Sequence, residues 1–509
     1  MGFFRPEGEN LQRMIAVLGA VAFLVQGYNQ SVMGGFTTLP SFLEAIPAVD
    51  TVNTTGTQKA HNATILGLVV AIFEVGSALG ALSCLAIGDR LGRPRTMILA
   101  GCVAAVGVVI MASAYSLAQL LVGRTVTGFG IGLYTGTIPM YVSETASAKH
   151  RGQLVLIEGV FALSGLALAS WVNFGMFYTH GPVSWRLPIA LSLVALFVLL
   201  AITPLLPESP RFLVKKERLE EATAILARLA GAPLDDPTVA HEIAVIHSAV
   251  RRELDSAANS GNPFTTGRTR HLHRLLLSTA AMMFAQLTGI NVIAFYSVSI
   301  FEETLGYSGS DARIFAACLQ IALALGGLTA IFVVDRVGRR RLMIFSTAAI
   351  GLAQFCVAGL SSDLTNLAAG RAAIFFYFFA MYTMPIGMFI IPFLYAAEIA
   401  PLGIRHKVTA MSAATSWLFN FMVAEVTPVA FASIGWKYNF VYGSCSAVAV
   451  AILYLFYPET RGRSLEEIDE IFRRSNSLLD PVRIAKELPV GLDMLDMIEA
   501  DAKNKNADV

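Results

Sequence analysis

Gly88-Asp89-Arg90-Leu91-Gly92-Arg93 and Val334-Asp335-Arg336-Val337-Gly338-Arg339 are one motif written twice. Two further motifs repeat at nearly the same distance. Glu144 stands seven residues before Arg151, and Glu398 seven before Arg405. Pro207-Glu208-Ser209-Pro210-Arg211 returns as Pro458-Glu459-Thr460-Arg461. Offsets of 246, 254 and 251 in a chain of 509 residues point to two copies of one ancestral half. The sequence between the charges is nearly all apolar, so the repeat is a membrane repeat.

Composition agrees. Hydrophobic residues make up 55% of the chain, charged residues 14%, and mean hydropathy is +0.62. A soluble domain carries about a quarter charged residues. The net charge of +1 says nothing about partners, but no basic block of a nucleic-acid-binding kind is present, so no nucleic-acid partner is expected. Cys84, Cys102, Cys318, Cys356 and Cys445 all fall in apolar segments, which suits packing better than disulfides or metal ligation. No metal-ligand spacing, nucleophile elbow or phosphate-binding glycine loop is present, so neither an enzyme nor a cofactor is expected.

Twelve apolar runs are long enough to cross a bilayer: 12–34, 63–87, 96–115, 118–141, 152–178, 185–206, 273–300, 311–334, 340–361, 370–397, 406–432 and 438–457. The fold class is an all-α membrane protein with twelve transmembrane helices in two six-helix lobes. Residues 1–206 form the first lobe, 207–270 a cytoplasmic helical linker, 271–457 the second lobe and 458–509 a cytoplasmic tail. The tail opens on Ser464-Leu465-Glu466-Glu467, a helix-capping pattern. Arginines and lysines crowd one set of loops, which puts that set and both termini in the cytoplasm. The first loop on the opposite side carries the sequons Asn53-Thr54-Thr55 and Asn62-Ala63-Thr64, candidates for glycosylation.

The doubled charges sit where short cytoplasmic loops join helix ends. Asp89, Arg90, Arg93, Glu144, Arg151 and Glu208 form one set, joined by Arg124 at the start of the fourth run. Asp335, Arg336, Arg339, Glu398, Arg405 and Glu459 form the other. Either set can act as a latch whose pairs part as the lobes move, or as a static determinant of topology.

Several of these segments resemble the sugar porter family of the major facilitator superfamily. They are Gly123-Arg124-Thr125-Val126-Thr127-Gly128, Pro139-Met140-Tyr141-Val142-Ser143-Glu144, Gln286-Leu287-Thr288-Gly289-Ile290-Asn291 and Ala397-Glu398-Ile399-Ala400-Pro401, with both Pro-Glu motifs. Trp185-Arg186-Leu187-Pro188 and Ser416-Trp417-Leu418-Phe419-Asn420-Phe421 resemble fungal members. The resemblance implies a two-lobed carrier working by alternating access, with a sugar-like substrate bound between the lobes and a single chain sufficing as the unit. Gln286, Asn291 and Asn420 match positions that contact sugar, and Phe295 and Tyr296 match an outer gate. Each polar residue can equally be glue between helices.

The departures matter as much. The family's glutamine in the fifth run is Gly159 here, preceded by Glu158. The first of two tandem glutamines is Ala285, and the usual tryptophan of the tenth run is Phe393; Phe393, Glu158 and Asn29 are expected to line the substrate site with Gln286, Asn291 and Asn420. A roomier, less polar pocket than a hexose site is expected, open to a disaccharide, pentose, polyol or cyclitol-like acid. Where proton-linked members carry an aspartate, this chain has Asn29, which cannot titrate, so uniport is the simplest expectation. Glu74 or Glu158, each a carboxylate within an apolar run, is the alternative proton carrier. A nutrient sensor on the same scaffold is the competing class. Such sensors tend to have very long tails, and the 458–509 tail is short. The plasma membrane is the expected location.

Overall fold

The computed structural model describes residues 6–145, 151–258, 262–267, 269–363, 366–401 and 403–488. The described residues hold helices and no strand. The side chains of Asp89 and Arg151 lie outside the described set.

The first lobe contains spans 1 to 6: Gly8–Ser31, Gly56–Leu91, Arg93–Ala112, Leu117–Thr145, Arg151–Met176 and Val183–Ile202. The second contains span 7 (His271–Leu287 and Ile290–Ser299), span 8 (Gly309–Val337) and span 9 (Arg339–Leu360). It continues with span 10 (Leu367–Gly387 and Ile391–Ile399), span 11 (Arg405–Ile434) and span 12 (Tyr438–Phe456). Most are long and apolar enough to cross a membrane, the last two as one segment, Lys407–Phe456. Leu117–Thr145 falls short of that apolarity because glycines, threonines and Arg124 dilute it. Between the lobes run Pro210–Lys215, Leu219–Ala230 and Pro237–Ala258.

Spans 7 and 10 were expected to be continuous and are broken. In span 7 the break falls at Thr288-Gly289, where Gly289 has φ +77°. A Cβ there would stand 2.5 Å from the Tyr442 ring, so both backbone and space demand glycine. A break inside a membrane frees main-chain carbonyls, and these need donors. Gln354 donates Nε2–H to the Thr288 carbonyl at 3.1 Å, and Gln320 does the same for Ala294 at 2.9 Å, just before a second kink at Tyr296. Span 10 breaks between Pro385 and Pro392, neither of which offers the N–H a continuous helix needs.

The lobes meet along two seams, span 2 against span 11 and span 5 against span 8. At the end away from the charged loops they are also bonded. Arg313 donates to Thr38 Oγ1 at 2.7 Å, and Thr38 donates to Glu302 at 2.9 Å. Lys59 pairs with Glu303 at 3.7 Å. Beneath this seal Gly34 backs onto the Phe295 carbonyl, 2.2 Å from where a Cβ would be.

The sequon at Asn62 is a correction. Its side chain is 1% exposed and its Nδ2 donates to the Asp50 carbonyl at 2.7 Å, so the nitrogen that would carry a glycan is enclosed and bonded. Asn53 is exposed, with its amide on Asp50 Oδ2 at 3.0 Å.

The tail helix Leu465–Arg474 has its capping box: Ser464 Oγ accepts from Glu467 N–H at 3.1 Å, and the Glu467 carboxylate accepts from Ser464 N–H. Asp469 and Phe472 dock it on Arg274, at the charged end of span 7.

Candidate substrate site and charged helix ends

The doubled motif makes one structure twice. Gly92 (φ +86°) and Gly338 (φ +104°) each end one span and begin the next. A Cβ on Gly92 would meet Glu208 Oε2 at 2.1 Å, and one on Gly338 would meet Glu459 Oε2 at 2.6 Å. The carboxylates come this close because they cap the next helix. Glu208 Oε1 accepts Arg93 N–H at 2.9 Å, and Glu459 Oε1 accepts Arg339 N–H at 2.8 Å. An anion at a helix N-terminus satisfies orphan donors and meets the positive end of the dipole. Burial holds Glu208 above the ordinary glutamate value, against the pull of the N–H groups of Ser209 and Arg93.

The arginine side chains then reach the neighbouring helix end. Arg93 forks onto Glu144 with two contacts of 3.0 Å, and Arg339 reaches Glu398 at 3.2 Å. These pairs lie within one lobe. Arg90 and Arg336 are exposed in the last turns of spans 2 and 8, where a cation suits the helix C-terminus. Asp335 pairs with Arg339 at 3.1 Å, and Arg405 donates to the Ala400 carbonyl at 3.1 Å. A further doubled contact was missed. Tyr141 donates to the Pro207 carbonyl (2.9 Å) and Tyr395 to the Pro458 carbonyl (3.2 Å). Its signal was a tyrosine three residues before Glu144 and before Glu398.

Arg124 is not part of these ends. Span 4 runs toward the charged loops, so its first turns lie in the far half. The 20 residues between Arg124 and Glu144 span about 30 Å of helix. Arg124 is 1% exposed and donates to the carbonyls of Asn29 (3.1 Å), Val69 (3.2 Å) and Val70 (2.8 Å), with Phe73 beneath it.

At mid-depth the expected amides come together. Gln286 Nε2 donates to Ser416 Oγ at 2.9 Å. Asn291 Nδ2 donates to Gln286 Oε1 at 2.5 Å and to Asn420 Oδ1 at 2.8 Å. The break at Gly289 is what lets residues five apart on span 7 face one partner, because the second helix starts again at Ile290. Ser416 and Asn420 share a face of span 11, four residues apart. Tyr296 donates to the Ala424 carbonyl at 2.8 Å, and Phe295 is buried against span 1, so both expected gate residues stand at the sealed end of this row.

The other expected site residues fall outside the row. Asn29 is fully buried and donates to Val25, on its own helix, at 2.9 Å. Glu158 is 3% exposed and faces Gly19 of span 1. Phe393 is 50% exposed beyond the break in span 10. At Gly159 the space expected to be roomy is filled: Ile390 Cδ1 lies 2.5 Å from where a Cβ would be. Two residues the sequence did not assign to the substrate site adjoin the row. Glu74 of span 2 faces Asn420 and accepts from Gln30 Nε2 at 3.3 Å.

Comparison with known proteins decides the class. A family described as "Sugar (and other) transporter" matches residues 15–472. The chain belongs to the sugar porter family of the major facilitator superfamily. This sugar porter is 34% identical to the MFS-type transporter oryC of Aspergillus oryzae over 503 residues, covering 96% of this chain and 90% of that one. It is 32% identical to the sugar transporter STL1 of Saccharomyces cerevisiae over 488 residues, covering 95% and 85%. Its fold matches the inward-open xylose transporter XylE of E. coli with a TM-score of 0.75 at 22% identity, covering 90% and 99%. The porter is a multi-pass membrane protein and a transporter by family, not an enzyme.

Proposed function

We propose that this porter moves a sugar or another polyhydroxy solute across the plasma membrane by alternating access, with the charged end in the cytoplasm. The observation that carries the reading is the row Ser416–Gln286–Asn291–Asn420. These are neutral groups able both to donate and to accept, held between the lobes, and their bonds to one another can be exchanged for bonds to hydroxyls. An ion would call for charge, and an apolar solute would leave the amides unsatisfied.

Phe295 and Tyr296 act as the outer gate in this reading, and the Arg93 and Arg339 clusters, whose pairs each lie within one lobe, stiffen that lobe while it rocks and do not latch by parting. Ile390 in front of Gly159 narrows one wall and leaves it apolar. Both lobes come from one chain, so a monomer suffices.

The test is counterflow in proteoliposomes preloaded with unlabelled solute. D-glucose, D-xylose, maltose, D-mannitol and quinate are supplied in turn as labelled probes. Trans-stimulated entry of at least one is expected. Thermal stabilisation by a panel member without counterflow of any would make the protein a sensor and overturn the reading.

A further inference from the structure

We propose that Glu74 is a proton-binding site and that the solute moves together with the proton it carries. This rests on the transport reading above.

Glu74 is the carboxylate that touches the solute row. It lies on span 2 at the seam with span 11, 2% exposed, with Asn420 of the row facing it. Gln30 of span 1 donates to Oε1 at 3.3 Å, while Oε2 has no hydrogen-bond partner. The cation on this side is Arg124 of span 4, with Tyr296 of span 7 next to it. Glu425, the carboxylate of span 11, meets span 2 at Gly67, two turns from Glu74, and faces Tyr296. Glu158 has no comparable link: its Oε1 also lacks a partner, but it stands against span 1 with no bond to the row.

Arg124 spends its donors on three main-chain carbonyls and makes no ion pair with Glu74 at 4 Å or less. The Glu74 carboxylate can therefore be answered in two ways. A proton on Oε2 neutralises it and leaves Arg124 where it is. Without that proton Gln30 and the more distant guanidinium answer the charge in part, and a direct ion pair forms when Arg124 turns toward it, which breaks bonds that tie span 4 to spans 1 and 2. Protonation thus sets the packing of three spans, and Asn420 reports it to the solute row. The balance is one proton taken onto a carboxylate oxygen on one side of the membrane and the same proton released on the other. No covalent bond to the solute forms or breaks. Asn29 takes no part in the exchange and supplies its main-chain carbonyl to Arg124.

A purely structural Glu74 would serve as well as a glutamine, which keeps its size, its bond to Gln30 and its place against Asn420. E74Q therefore separates the two roles. The assay uses proteoliposomes with an inward proton gradient of one pH unit and labelled D-glucose, D-xylose or D-mannitol, whichever counterflows in the wild type. Wild type is expected to concentrate the solute up to about tenfold at one proton per solute, and to lose this with a protonophore. E74Q is expected to equilibrate the solute without concentrating it while counterflow persists. If E74Q loses counterflow too, E74D decides: renewed concentration supports the proposal and its absence overturns it. Concentration by E74Q overturns it, and so does a wild type that counterflows but never concentrates, which is the uniport outcome. A wild type with no counterflow at all strikes the transport reading instead.

Discussion

Arg93 and Arg339 stand in the same surroundings. Each follows a glycine at positive φ, gives its N–H to the glutamate of a Pro-Glu motif, and reaches a glutamate at the end of the next span. At mid-depth the same two lobes have nothing in common. The second lobe lays out Gln286, Asn291, Ser416 and Asn420 in one bonded row, and the first faces it with Glu74, Gln30 and a guanidinium held on carbonyls. A duplicated half keeps what both copies need to move as rigid bodies. It diverges at mid-depth, where the proposed function has a small, asymmetric solute gripped from two sides.

The likeness of the charged ends is most open to attack at its glycines. Gly92→Val and Gly338→Val should each abolish the folded protein. A side chain at that φ costs about 1–3 kcal/mol, and the displaced carboxylate adds to it. The yield of monodisperse protein in size-exclusion chromatography checks this, and collapse of only one variant would reduce the likeness to one of shape. Removing the guanidinium comes next. Arg93→Ala strands Glu144, whose side chain is 8% exposed, and should cost on the order of 3 kcal/mol. Arg339→Ala leaves Glu398 at 20% exposure and should cost less, and the two thermal midpoints measure the gap.

In the row, Asn291→Ala should raise KM by on the order of tenfold, the worth of about one to two hydrogen bonds, with little change in thermal midpoint. An equal loss of stability would make the row glue and not a site. The smallest effect concerns Glu208. Its raised value means that the folded chain holds this proton more tightly than the unfolded one. Stability therefore falls as pH rises from 4.5, the ordinary glutamate value, to the raised one. Glu208→Gln should flatten that slope, at a cost of under about 1 kcal/mol for the lost charge at the helix start. Thermal midpoints of both proteins from pH 4.5 upward read it out.

Sequence made the duplication legible because Gly-Arg and Pro-Glu are local demands: a positive φ and a helix cap can be recognised a few residues at a time. Gln286, Asn291 and Asn420 came from the resemblance of their segments to the sugar porters, and the structure bonds the three to one another. Sequence failed where partners are remote. Arg124 was grouped with the latch because its charge looked alike, although the direction of span 4 carries it to the other half. Its three carbonyl partners on spans 1 and 2 leave no trace in sequence. The space beside Gly159 looked empty because Ile390 comes from the other lobe. The break in span 7 was hidden too, since one glycine among many does not announce a positive φ.

The seal between spans 1 and 7 carries a consequence of its own. Gly34 presents a hydrogen where any other residue has carbon, and the Phe295 carbonyl rests on it. How far the sealed end shuts is set by that one atom's radius. A methyl group at position 34 is a shim: it would prop the two helices apart without touching solute, proton or charged ends. The resting population would then tilt toward the state open at that end, so the carrier's bias between its two faces is tunable from a position that binds nothing.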